Sequence, residues 1–96
     1  MIGRLRRMFR PGEPAGAVVT VYTRAGCGCC DKAMAVLQAA RRRHRLVIET
    51  VDVDADPDLA ARYGSEVPVV AFDGKVRFRG VVNPVLLERL LAGRAE

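Results

Sequence analysis

Tryptophan is absent from this 96-residue chain, and aromatic residues make up only 5% of it. A buried core must therefore be aliphatic, built from Val, Leu, Ala and Ile. No apolar run approaches the ~20 residues that span a bilayer. The longest candidate, Ala15 to Tyr22, is broken by Gly16 and Thr20. That excludes an integral membrane protein of helical type and argues against a secretory signal. Length excludes a second core, since a domain takes roughly 100 to 150 residues. Histidine occurs once, as His44 inside a basic run, and receives no catalytic role. Spaced cysteines of the kind that staple secreted mini-proteins are also missing. The three cysteines sit together in Cys27-Gly28-Cys29-Cys30, and an odd count in one short cluster points to redox or metal chemistry. What is present is globular in kind: 50% hydrophobic and 28% charged residues, far more to bury than a disordered chain offers.

The net charge of +5 is unevenly placed. Residues 1 to 16 carry Arg4, Arg6, Arg7 and Arg10 against Glu13, so over half of the excess lies in a leader ending Pro11-Gly12-Glu13-Pro14-Ala15-Gly16. Two prolines and two glycines disfavour helix and ladder there, and residues 1–16 are expected to form a basic, flexible extension ahead of a domain over 17–96. Ile2, Leu5, Met8 and Phe9 recur at helical spacing among the arginines, an amphipathic pattern that also suits an anionic surface. A second basic run, Arg41-Arg42-Arg43-His44-Arg45, closes a predicted helix, where cations complement the dipole. Without interleaved aromatics it does not read as a nucleic-acid patch.

Val18-Val19-Thr20-Val21-Tyr22 is a β-branched run expected as a buried strand. An Ala-rich helix follows from about Cys30 to Arg43, with Ala33, Val36-Leu37 and Ala40 on one face. A second strand begins at Leu46-Val47-Ile48 and continues by alternation through Val51 and Val53. The helix-length crossover makes these two strands parallel. Asp56-Pro57 is an N-cap and first-turn pair for a short helix with Leu59 and Tyr63 inward, and Gly64 is expected in a left-handed terminal position. Val67 to Phe72 and Lys75 to Arg79 flank Asp73-Gly74, a strong signal for a type I′ hairpin. Asn83-Pro84 caps a last helix carrying Leu86, Leu87, Leu90 and Leu91. The order is β-α-β-α-β-β-α.

The cysteines fall where the first strand hands over to the first helix. Cys27 then occupies the exposed helix N-terminus, and Cys30 lies one turn further in, close enough for a disulfide without backbone movement. Free N–H groups and the positive dipole end stabilise a thiolate at Cys27. Cys27 is thus the expected nucleophile and the more buried Cys30 the resolving thiol. The alternative, inert cysteines filling a core, fits poorly with Gly28 and the turn. Cys29 is expected to face solvent or the substrate groove.

Tyr22-Thr23-Arg24-Ala25-Gly26-Cys27-Gly28-Cys29-Cys30 resembles the active-site segment of glutaredoxins and related small thioredoxin-fold proteins. Val67-Pro68 ahead of a strand and the Asp73-Gly74 hairpin extend the resemblance over roughly residues 17 to 93. It implies an α/β, thioredoxin-like (glutaredoxin-type) fold: a four-stranded mixed sheet flanked by three helices. It implies further that Pro68 is cis and lies against the cysteine pair, with the Val67 backbone free to pair with a bound peptide or glutathione. Arg24 matches the basic residue that reaches a glutathione carboxylate. Taken by position alone, Arg24 reads equally as a surface arginine and Pro68 as an edge-strand proline.

The chain also departs from that pattern. Gly28 and Cys29 stand where glutaredoxins commonly carry Pro and an aromatic residue. Gly80-Val81-Val82-Asn83 has one glycine and no acid, where the family has a Gly-Gly pair and an acid for the amino end of glutathione. Val21 stands where thioredoxins bury an acid.

The expected activity is that of a cytoplasmic thiol–disulfide oxidoreductase acting as a monomer, without a nucleic-acid or membrane partner. Its substrates are protein disulfides or glutathione mixed disulfides. It needs no tightly bound cofactor; glutathione is a candidate co-substrate and a thioredoxin-reductase-type protein a candidate donor. The alternatives are a carrier of a soft metal or iron–sulfur cluster on Cys27, Cys29 and Cys30, and an interaction module without turnover.

Overall fold

The structure, a computed structural model, describes residues 17–93. The basic extension expected over 1–16, including its amphipathic pattern, lies outside the described residues. The elements run β1 (Ala17–Thr23), α1 (Gly28–Ala40), β2 (Leu46–Asp52), a 3₁₀ turn (Val53–Ala55), α2 (Pro57–Tyr63), β3 (Val69–Phe72), β4 (Lys75–Arg79) and α3 (Pro84–Ala92). The four strands form one sheet in the order β2-β1-β3-β4. β1 pairs parallel with β2, Ala17 opposite Leu46, and antiparallel with β3, Tyr22 opposite Val69. β3 and β4 are antiparallel, with the register shifting between Val70 and Ala71. This is the thioredoxin-like α/β fold: a four-stranded mixed sheet with three helices.

Alternation along β1 sends Ala17, Val19 and Val21 into one core. There they meet Ala33, Leu37 and Ala40 of α1, spaced four and three residues apart, and Leu87 and Leu91 of α3. Val70 and Phe72 of β3 complete this side, and Phe72 stacks edge-on with Phe78 of β4 at a centroid distance of 6.4 Å. All of β3 is buried, as befits an inner strand. On the opposite face Tyr22 packs its ring on Tyr63 of α2, centroids 4.6 Å apart; burial raises the Tyr22 phenol above its ordinary pKa, and the neighbouring Tyr63 adds to the effect.

The hairpin follows the expected turn: Asp73 and Gly74 both have positive φ, 52° and 88°. Asp73 also accepts the Val18 N–H through Oδ1 at 2.9 Å, so the turn residue extends the β1 ladder. Asn83 caps α3 through the Val85 and Leu86 N–H groups at 2.8 and 3.1 Å. Asp56 caps α2 as expected, accepting from Asp58 N–H at 2.9 Å.

Four expectations are corrected. α1 starts at Gly28 and stops at Ala40, so the arginines follow its last turn instead of filling it. Arg43 and His44 reach across to Glu88 of α3, and the Arg43 hydrogen bond holds the Glu88 carboxyl below its usual range. β2 ends at Asp52, because the Asp52 side chain accepts the Asp54 N–H at 2.9 Å and starts a 3₁₀ turn at Val53. β3 begins at Val69, two residues late, after a cis Val67–Pro68 bond. Gly64 is right-handed, φ −56° and ψ −34°, so conformation is not what calls for glycine there. Space is: a Cβ would collide with the Ala60 carbonyl oxygen and lie 2.9 Å from Arg24 Nη2.

Among the described residues no helix is long and apolar enough to cross a membrane.

Leu37 is wholly buried between α1 and the sheet. Leu37→Ala should lower unfolding stability by about 2–5 kcal/mol through lost transfer energy and an unfilled cavity. Gln38→Ala, on the exposed side of the next position, should change it by less than about 0.5 kcal/mol. Urea midpoints at constant m-value compare the two.

Candidate functional site

β1 ends at Thr23, and the chain reverses in a tight turn closed by Cys27 N–H to the Arg24 carbonyl at 3.2 Å. Gly26, third in that turn, has φ 79°, a conformation that costs glycine nothing and other residues a Cβ clash. The turn delivers Cys27 to the N-cap of α1, in extended backbone with φ −87° and ψ 105°. Its Sγ accepts the Cys30 N–H at 3.1 Å, one of the donors that a helix N-terminus leaves without an internal partner. Cys27 and Cys30 are paired as a disulfide with Cα atoms 5.2 Å apart, inside the range such bonds require. Cys27 is half-buried and Cys30 fully buried. One sulfur is thus open to an incoming group and the other is sheltered behind it. The Cys30 N–H and the positive helix end stabilise negative charge on the outer sulfur when the pair is reduced.

Cys29 is exposed and unpaired with the other two thiols. It shares a cavity of about 250 Å³ with Lys32, one helical turn on, and with Gly80 and Val81 across the gap. Among the described residues no group of three or more His, Cys, Asp or Glu side chains converges in a way that could hold a metal ion. The three cysteines clustered in sequence are therefore not gathered into one donor set.

The sheet brings the second loop to the same end. Tyr22 opposite Val69 sets Val67 and Pro68 beside the chain leaving β1. Pro68 is buried and in cis linkage with Val67, which is half-buried. The Pro68 carbonyl accepts the Gly80 N–H at 2.8 Å. Gly80 has φ 81°, a left-handed turn out of β4 that leads the chain along the cavity.

Arg24 is bound within the protein itself. Its Nε and Nη2 donate to the two oxygens of Asp54 at 3.0 and 2.9 Å, and Nη1 donates to the Gly64 carbonyl at 2.8 Å. All three guanidinium nitrogens are engaged, tying the cysteine turn to the 3₁₀ turn and to the end of α2. The hydrogen bond to Asp54, with its charge, holds Arg24 above its ordinary pKa; the same bond holds the Asp54 carboxyl below the usual carboxylate range. Asp54 and Lys32 carry no role in the sequence reading, and Gly64 is read there only as a helix end. Lys32 was detectable from its helical spacing to Cys29; the Arg24–Asp54 pair spans thirty residues and has no local signal.

A dithiol at the N-terminus of the first helix, a cis-proline entering an antiparallel central strand, and a β2-β1-β3-β4 sheet together define a thioredoxin-fold dithiol protein. The chain belongs to the family described as Glutaredoxin-like domain (DUF836), whose model matches residues 18–92. A structural-genomics protein from X. campestris, XcR50, is 28% identical, with 80% of this chain and 99% of that one covered and a TM-score of 0.68. Desulfothioredoxin from Desulfovibrio vulgaris Hildenborough, in its reduced form, is also 28% identical, covering 88% of this chain and 94% of that one at a TM-score of 0.61. Protein Ne2328 from Nitrosomonas europaea shares the fold at a TM-score of 0.72 and 20% identity, covering 85% of this chain and 99% of that one. Family, fold and the Cys27–Cys30 pair support a thiol redox function.

The Arg24–Asp54 pair has a pH signature. The folded-state pKa of Asp54 is depressed, so its stabilisation is complete above the unfolded carboxylate range and is lost as pH falls through the folded value. Asp54→Asn should therefore be less stable than wild type at pH 7, and the gap should close on acidification towards pH 2. Urea midpoints across that range measure it; a gap independent of pH would remove the pair from the account.

Proposed function

We propose that this protein is a thiol–disulfide oxidoreductase of glutaredoxin type, with Cys27 as nucleophile and Cys30 as resolving thiol. The observation that carries the reading is the asymmetry of the pair: a half-exposed Cys27 sulfur hydrogen-bonded to the Cys30 N–H, and a buried Cys30 behind it. The Cys27 thiolate attacks one sulfur of a substrate disulfide. A Cys27–substrate mixed disulfide forms, the substrate S–S bond breaks, and the departing thiolate takes a proton from solvent. Cys30, deprotonated, then attacks the Cys27 sulfur and releases the second substrate thiol. Two electrons have passed to the substrate, and the protein holds the Cys27–Cys30 disulfide.

Protein disulfides and glutathione mixed disulfides are the proposed substrates, and Val67, Pro68 and Gly80 the backbone platform beside the pair. Two glutathione molecules, or a thioredoxin-reductase-type protein, restore the dithiol. No resident cofactor is required. The protein acts as a monomer in a reducing compartment such as the cytoplasm, where turnover as a reductase is sustained.

Cys27→Ser should reduce disulfide reductase activity to the rate of uncatalysed exchange. Cys30→Ser should accumulate a mixed disulfide visible by mass spectrometry as the protein plus one substrate half. Full activity in the Cys27 variant would sink the mechanism. Comparing glutathione with a thioredoxin reductase as electron donor identifies the regenerating system.

A further inference from the structure

The large hydrophobic side chains left exposed among the described residues fall in one short stretch: Val81, Val85 and Leu86, at 71%, 62% and 51% exposure. That stretch leaves β4 and enters α3. β4 runs antiparallel to β3, and β3 antiparallel to β1, so it leaves the sheet at the end where β1 delivers the cysteines. Apolar surface concentrated beside a reactive pair marks a contact surface.

The cavity at this place has an equally definite chemistry. Ala33 and Val36 of α1 face Val81 and Val82 across it, and Cys29 sits at its edge, next to the Cys30 position on the helix. Lys32 is its one charged wall, and Lys32 has no ion-pair partner among the described residues. At about 250 Å³ it falls below the roughly 300–1,000 Å³ of small-molecule sites and suits one side chain with its backbone. An ammonium group entering here would meet a lysine and apolar walls, and would lose hydration without gaining a counter-charge. An aliphatic side chain loses nothing, and a carboxylate beside it gains Lys32 and the positive end of α1.

We propose that this cavity is a subsite for the residue flanking the cysteine of a polypeptide disulfide, selecting an aliphatic side chain with an acidic neighbour over glutathione. The proposal rests on the oxidoreductase reading and assigns its substrate class. Glutathione can offer Lys32 a carboxylate as a Leu-Glu segment does, but it has no branched aliphatic side chain for Ala33, Val36, Val81 and Val82 and must desolvate an ammonium beside them, so the apolar walls separate the two. Lys32 and Val81 are specificity determinants in this subsite and take no part in sulfur exchange.

The test uses the full chain and three probes: a disulfide peptide with Leu on both sides of the cysteine and Glu beyond, a matched peptide with Ser and Lys in those places, and glutathione disulfide. The Leu/Glu peptide should exceed each of the other two in kcat/KM by tenfold or more, chiefly through a lower KM. Lys32→Glu and Val81→Asp, both at exposed positions that leave the core untouched, should each pull the ratio between the two peptides down severalfold. Equal kcat/KM for the two peptides, a preference for glutathione disulfide, or an unchanged ratio in both variants would overturn the subsite while leaving the oxidoreductase standing. No turnover of any probe, with reductant supplied in excess, would remove the oxidoreductase reading and the subsite with it.

Discussion

The antiparallel pairing of β1 with β3, Tyr22 opposite Val69, is the constraint on which the functional end of the molecule depends. β1 lies inside the sheet, hydrogen-bonded on both sides, so its direction and height are determined by two neighbours. Because β3 enters where β1 leaves, the residue pair before β3 is placed beside the turn after β1. The Gly80 N–H bond to the Pro68 carbonyl then brings the β4 exit to the same place. Three segments far apart in the chain meet at one end of the sheet with no need for a long loop. Slippage of this register by one residue would exchange Val70 and Phe72, packed against α1 and α3, for Val69 and Ala71, buried on the opposite face, so the core packing and the site are specified together.

Electrostatics holds the cysteine turn from behind. The Arg24 guanidinium binds Asp54 and the Gly64 carbonyl. Gly64 lies so close that no Cβ fits. In this structure the basic residue three before Cys27 holds the turn in position. Beside Cys29, valines and Lys32 line the cavity.

Much of the fold was legible because its signals are local. β-branched runs marked β1 and β2, the positive-φ demand of Asp73-Gly74 marked the hairpin, and the Asp56 and Asn83 caps marked two helix starts. Local signals and structure part where neighbours decide. The place of Gly64 after a helix predicts a left-handed role, but crowding and not conformation calls for glycine there. The arginines of 41–43 read by position as a helix end, but the helix stops at Ala40 and Arg43 is drawn to Glu88 on α3.

At the site the division is similar. The C-x-x-C spacing at a strand-to-helix junction was enough to pair Cys27 with Cys30, because one helical turn sets the distance between them. The separate position of Cys29 follows from the same helical geometry. No local rule joins Cys29 and Lys32 to Val81, or Arg24 to Asp54. Those meetings depend on strand order and register, which are properties of the whole sheet. Composition and spacing alone thus determined one small aliphatic-cored domain with a dithiol at a helix N-terminus. Tertiary structure decided which residues surround that dithiol, because segments thirty or more residues apart become neighbours only when β2, β1, β3 and β4 align in one sheet.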